Sequence, residues 1–208
     1  MKKIFYLLAF VLSFSLFSCG DDDESIDSEN SDTGVVSLGS NYYRLYRKTS
    51  YGNDWIYVNL SQMDTVAVSE EEHATNMDWD IAFNRYNVRT NGGASGSGMG
   101  AAMITTYKSM SACTSVPDGT FVEDEETEIL SSLSISSDDA SFDYTESSYN
   151  PLLADALAFA GPPPTYTPSE YVFIIRGADG TCYKFMATGF YDDRGNSGFY
   201  GFTCEKIK

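Results

Sequence analysis

The chain opens on an almost unbroken apolar run, Ile4 to Phe17, behind two lysines, Lys2 and Lys3. Such a run is too short to span a bilayer comfortably, and with its positive start it predicts a secretory signal peptide over residues 1–18. From Gly20 to Gly34 the pattern reverses: Asp, Glu, Ser, Asn and Thr dominate and there is almost nothing to bury. That stretch cannot offset its ordering entropy, so residues 19–36 are expected to form a flexible acidic tether. The remainder, 37–208, carries strand signals to its end and is expected to form one β domain.

Alternating aromatic or aliphatic and polar positions predict strands at Tyr42–Arg47, Trp55–Leu60, Val66–Val68 and Met99–Thr106. Trp79 to Val88 reads as one long strand, with Trp79, Ile81 and Phe83 on a single face. Glu123 to Glu128 is too acidic for a core and is expected to be an exposed turn before a strand at Ile129–Ile135. Tyr171–Arg176 reads as a buried strand with its turn at Gly177–Gly180. Tyr183–Tyr191 and Phe199–Lys206 form a hairpin about Asp192-Asp193-Arg194-Gly195-Asn196. Pro151 to Phe159 is the one helix-like piece, with Leu152, Leu153 and Leu157 near helical spacing, and Gly161-Pro162-Pro163-Pro164 ends it. Short strands with frequent turns predict an all-β fold, an antiparallel β-sandwich or barrel-like domain with one short helical segment.

Composition agrees: 15 Tyr and 13 Phe against a single His fit pleated, half-buried surfaces. The net charge of −17 becomes more negative still when Lys2 and Lys3 leave with the signal peptide. A polyanion of this kind repels nucleic acid and anionic headgroups, which excludes both as partners.

Leu16-Phe17-Ser18-Cys19 resembles the bacterial lipobox, in which the chain is cut before a cysteine that carries diacylglycerol. Each buried CH₂ of an acyl chain contributes roughly 0.8 kcal/mol, so a multiply acylated Cys19 would be a stable lipid anchor. Gly20-Asp21-Asp22-Asp23-Glu24 looks like the tract that sends some lipoproteins to the outer leaflet of the outer membrane, facing the cell exterior; the alternative is a tether that is merely acidic. Among the remaining thiols, Cys182 and Cys204 flank the C-terminal hairpin and are the candidate disulfide pair, permitted by export. Cys113 is read as a buried thiol or an odd leftover.

Catalytic sets are scarce, and no enzyme is expected. His73 lies in a charged loop and reads as solvent-exposed; no His/Cys set of zinc-ligand spacing occurs, and the carboxylates run in solvated clusters. The glycine-rich stretch Asn91 to Gly98 has no lysine at phosphate-loop spacing and reads as a connection. Met99, Met103, Met110 and Met186 fall in or beside strands, where core packing is their usual role.

One long motif carries more. Asp78-Trp79-Asp80-Ile81-Ala82-Phe83-Asn84-Arg85-Tyr86-Asn87-Val88-Arg89-Thr90-Asn91-Gly92-Gly93, followed by Ser95-Gly96-Ser97-Gly98-Met99-Gly100-Ala101, resembles the signature of the HmuY family of haem-binding lipoproteins. Gly161-Pro162-Pro163-Pro164-Thr165-Tyr166 and Tyr171 to Gly180 match the same pattern. The resemblance implies an extracellular all-β haem carrier that passes haem to a TonB-dependent outer-membrane receptor. It also implies two axial ligands, histidines or methionines, from stretches corresponding to Ser141–Asn150 and Ala156–Pro164. This sequence has no His, Met or Cys in either. Tyr144 and Tyr149 are the substitutes available there, since a phenolate can ligate haem iron, and both can equally be ordinary half-buried tyrosines. Phe159 and Pro162 to Pro164, Pro163 among them, would supply an apolar wall. The competing function is a non-haem binding or interaction module on the same scaffold, for which the acidity would favour a cationic partner.

Overall fold

The computed structural model describes residues 34–135, 139–161 and 164–208. The signal peptide, Cys19, most of the tether, Pro162 and Pro163 lie outside the described residues.

Aromatic and β-branched residues at alternate positions pair into two main antiparallel sheets. The larger has six strands: β1 (Val35–Gly39), β2 (Tyr42–Leu45), β7 (Ala101–Ile104), β12 (Phe173–Arg176), β13 (Cys182–Tyr191) and β14 (Ser197–Lys206). Their order across the sheet is β1-β2-β14-β13-β12-β7. The smaller joins β3 (Ile56–Asn59), β4 (Asp64–Val66), β5 (Ile81–Asn84) and β6 (Asn87–Thr90) in the order β4-β3-β5-β6. Ile56, Val58, Ile81 and Phe83 of the smaller sheet meet Phe173, Ile175, Phe185, Tyr200 and Phe202 of the larger in one buried core. Phe83 stacks on Phe202 at 5.3 Å and lies 4.8 Å from Tyr200. The expected all-β antiparallel domain is therefore a two-sheet sandwich.

Two further hairpins stand apart from these sheets: β8 (Glu125–Ile135) with β9 (Ala140–Tyr149), and β10 (Leu157–Ala160) with β11 (Thr165–Pro168). Ile129 and Tyr149 attach the first to the outer face of the smaller sheet, against Trp55, Tyr57 and Trp79.

Several elements depart from the sequence reading. The long strand at Trp79–Val88 is a hairpin: β5 turns at Arg85 and Tyr86 and returns as β6, with Asn84 opposite Asn87. Arg85 takes the left-handed φ of 53°, where glycine is the usual signal, so nothing in the composition marked the turn. Asn84 Nδ2 pins the bend by donating to the carbonyls of Gly52 and Asp54. Trp79 consequently lies in the outer cluster, away from Ile81 and Phe83. Glu125 to Glu128 belong to β8 rather than to a turn, and the acidic residues there remain exposed or half-exposed because the hairpin projects into solvent. The helix-like piece shortens to one 3-10 turn, Leu153–Ala156, before the backbone becomes extended at Leu157 and enters β10. The Asn150 side-chain oxygen accepts from the Leu152 and Leu153 amides and starts that turn.

The candidate disulfide does not form. Cys204 pairs in register with Phe185, and Tyr183 with Lys206, so Cys182 and Cys204 differ by an odd number of strand positions. Their side chains therefore point to opposite faces: Cys204 into the sandwich core, Cys182 to the outer face near Met103, Met110 and Met186. Both are free, as is Cys113, which is buried on that same outer face.

The signature motif is largely structural. Asp80 is buried, with its Oδ2 accepting the Leu60 amide at 2.8 Å and its Oδ1 the Ala178 amide at 2.9 Å, which ties one sheet to the other. Asn91 fastens the glycine-rich connection: its Nδ2 donates to the carbonyls of Asn76 and Trp79, and its carbonyl accepts the Gly100 amide. A Cβ at Gly92 would run into the Gly100 backbone, so close approach explains glycine at that position. Arg89 is fully buried against Trp55, with Tyr57 and Glu70 as partners.

Candidate functional site: an open aromatic slot

At one end of the sandwich three strand connections bring aromatic rings together. Tyr86 sits at the β5–β6 turn, Phe159 and Tyr166 are cross-strand partners in β10–β11, and Phe190 and Tyr191 end β13. Cross-strand partners share a sheet face, so Phe159 and Tyr166 project together, 5.5 Å apart. Tyr86 stacks on Phe159 at 6.5 Å with the rings 21° from parallel, and lies 5.9 Å from Tyr166. Tyr166 rests on the buried Phe190 at 4.3 Å, and its amide donates to the Tyr191 hydroxyl. The group is thus rooted in the core and open at its outer edge.

The β8–β9 hairpin runs beside β6, where the Asn150 amide just after β9 donates to the Val88 carbonyl. Burial raises the pKa of the Tyr86 hydroxyl, and the nearby hydroxyls of Tyr166, Tyr149 and Tyr144 raise it further, while the Arg85 charge opposes them. Of the sequence-predicted residues, Phe159 is in direct ring contact with Tyr86, while Tyr144 and Tyr149 lie on β9, the strand that runs beside β6.

They are not equivalent. Phe142, Tyr144 and Phe159 are 54, 58 and 59 % exposed. Tyr149 is half-buried against the Trp55–Trp79 cluster, so its ring holds the hairpin in place. Of the two candidate tyrosines, Tyr144 alone is exposed, on the opposite face of β9 from Tyr149.

The donor chemistry is narrow. Ser141 to Asn150 is β9 and its end, offering Tyr144 and Tyr149, while Ala156 to Gly161 offers no side-chain donor at all. His73 is distant in role: it is half-buried rather than exposed, packed near Tyr57, with Nδ1 at 2.6 Å from the Glu70 carbonyl. The methionines divide. Met103 is buried and Met110 and Met186 pack beside it, whereas Met99 is 56 % exposed, contrary to a packing role.

Tyr86, Tyr166 and Tyr191 escaped the sequence reading. Tyr86 was concealed in what read as a continuous strand, and Tyr166 in a segment following the prolines that had no strand assigned. The Asn84-Arg85-Tyr86-Asn87 tetrad, two asparagines flanking two residues, was the available sign of a bend.

The fold is an all-β sandwich with a partly exposed aromatic cluster shared by the β5–β6 and β10–β11 hairpins. The chain belongs to the HmuY family: the model of the HmuY protein family matches residues 51–204. Solved structures agree. A Bacteroides vulgatus protein described as HmuY-like and haem-binding is 27% identical, with a TM-score of 0.63, covering 83% of this chain and 96% of its own. A Bacteroides fragilis protein described as a lipoprotein is 26% identical, with a TM-score of 0.62, covering 83% and 95%. The apo HmuY analog of Tannerella forsythia shares the fold at 20% identity and a TM-score of 0.66, covering 84% and 98%. No curated protein matches the chain.

Proposed function

We propose that this protein binds haem in the aromatic slot and, as an exported lipoprotein anchored through Cys19, carries it at the outer surface of the outer membrane to a TonB-dependent receptor. The observation that carries the reading is the aromatic cluster of Tyr86, Phe159 and Tyr166, open to solvent at Phe159, on a HmuY-family domain. Flat aromatic ligands favour such surfaces, because ring stacking adds roughly 0.5–1.5 kcal/mol per pair to the burial of area. Phe159 and Tyr166 would hold one face of the macrocycle, Phe142 would close the other side, and Tyr144 would present its oxygen to the iron. The bound group supplies its own iron chemistry; the chain supplies stacking, orientation and shielding from water.

Titration of the purified chain with ferric haemin tests this. The expected result is a shifted, saturable Soret band at one haem per chain, with a phenolate-to-iron charge-transfer feature that Tyr144→Phe abolishes. A flat titration in both oxidation states would count against it. A second reading, a non-haem flat ligand, gains support from the lack of His, Met and Cys in both ligand-bearing stretches. Iron-free protoporphyrin separates the two: equal affinity for protoporphyrin and haemin favours the second.

A further inference from the structure

In so acidic a chain, cations readily find carboxylates. Arg44 pairs with Asp193, Arg47 with Asp54, Arg89 with Glu70 and Lys184 with Glu205. Arg85 differs. Its guanidinium forms no ion pair and no hydrogen bond with any described residue, and its Nε is buried without an acceptor. Asp54, the carboxylate of the adjoining loop, is taken up by Arg47 and the Ser50 amide.

Its position is held from several sides. The Arg85 amide donates to Thr49 Oγ1 at 2.5 Å, and the guanidinium carbon lies over the Tyr51 ring, 4.3 Å from its centroid. The loop bearing Thr49 and Tyr51 is in turn hydrogen-bonded to β8, through the Gly52 amide and the Leu130 carbonyl, and Leu130 is the cross-strand partner of Tyr144. Arg85 thus sits next to Tyr86 in the β5–β6 turn, on the loop that is bonded to the hairpin carrying Tyr144. Its left-handed backbone suits glycine better, yet an arginine occupies the turn. A planar guanidinium, pre-oriented on an aromatic face with its donors unused, is a receptor for a carboxylate.

We propose that Arg85 is the anion-recognition residue of the slot, binding a carboxylate carried on the edge of its flat ligand. The inference rests on the haem reading and deepens it: in haem the group recognised is a propionate. It also answers the difficulty posed by the overall negative charge, because a single unpaired cation at the rim offsets local repulsion where the ligand's acid groups enter.

The test compares haemin with its dimethyl ester, in which both carboxylates are blocked, on the purified wild-type chain, Arg85→Gln and Arg85→Lys. Wild type is expected to bind haemin about tenfold tighter than the ester. Arg85→Gln should lose about tenfold for haemin with the ester unchanged, and Arg85→Lys should recover part of the loss. Equal binding of the two porphyrins by wild type overturns the assignment without recourse to any variant. So does an equal loss for both in Arg85→Gln, which would mean that Arg85 only shapes the slot. Binding of neither porphyrin by wild type removes the haem reading and this inference together.

Discussion

Tyr86 and Phe159 lie nearly parallel, 6.5 Å apart, although one belongs to the β5–β6 turn and the other to the β10–β11 hairpin. Neither ring needs the other to fold, because each hairpin is fixed by its own strand pairing. Their juxtaposition instead makes a platform whose outer ring, Phe159, is mostly exposed.

Phe159→Ala should therefore separate binding from stability. Removing an exposed ring is expected to change unfolding free energy by less than about 1 kcal/mol and to weaken haem binding about tenfold. Phe190→Ala, one layer below, removes a fully buried ring on which Tyr166 rests and should cost about 3–5 kcal/mol. Urea unfolding and haemin titration of both variants check this; comparable destabilisation by the two would show that Phe159 belongs to the core.

The contrast explains how much of the molecule could be read in advance. Strands whose alternation reflects a buried face, such as Phe173–Arg176 and the β13–β14 pair, were legible because the core imposes period two on them. The β8–β9 hairpin has no such face along most of its length, so only Ile129–Ile135 read as a strand, while the acidic start of β8 resembled a turn. At the slot, Tyr144 and Phe159 could be singled out from the stretches they occupy, but Tyr86 could not, because its role depends on a turn made without glycine. The Cys182–Cys204 pairing failed for a related reason: hairpin proximity says nothing about face until the register is known.

Asp80 supplies a test of the signature motif itself. Its carboxylate accepts two backbone amides from different sheets, so Asp80→Ala would leave both donors buried and unpaired. A loss of about 2–4 kcal/mol is expected, with haem affinity of the remaining folded protein unchanged within about twofold. If affinity fell far more than stability, the motif would have a part in the slot beyond its structural one.

The three thiols of the described domain should behave differently from one another. Cys204 is buried in the sandwich core and its pKa is pushed far up by burial, whereas Cys182 is only half-buried. In the native protein a maleimide at pH 7 is expected to label Cys182 slowly and Cys204 not at all, and all three thiols should react in guanidinium. Peptide mapping that finds a Cys182–Cys204 crosslink in exported protein would contradict the strand register. Cys204→Ser should cost about 1–3 kcal/mol, since it buries a hydroxyl in an apolar core.

Asp124 should give the fold an identifiable pH dependence. Burial lifts its carboxyl from an ordinary 3.8 to about 6, although hydrogen bonds from Ser95, Thr90 and Asn150 pull the other way. The folded chain accordingly holds a proton over the range from about pH 4 to 6 that the unfolded chain has released. For this group stability is greatest below about pH 4, falls as pH rises towards 6 and is level above it, a change on the order of 2–3 kcal/mol. Asp124→Asn removes the titration but turns an amide N–H₂ towards donors that now find a carboxyl oxygen, namely the Thr90 amide and hydroxyl and Asn150 Nδ2. The variant should be less stable at every pH and lack this component of the slope. Urea unfolding of both proteins at pH 4 and pH 7 reads the difference directly: wild type is expected to lose about 2–3 kcal/mol more than Asp124→Asn on going from acid to neutral. Parallel pH profiles would mean that Asp124 stays ionised in the fold, held by its hydrogen bonds against the desolvation of its site.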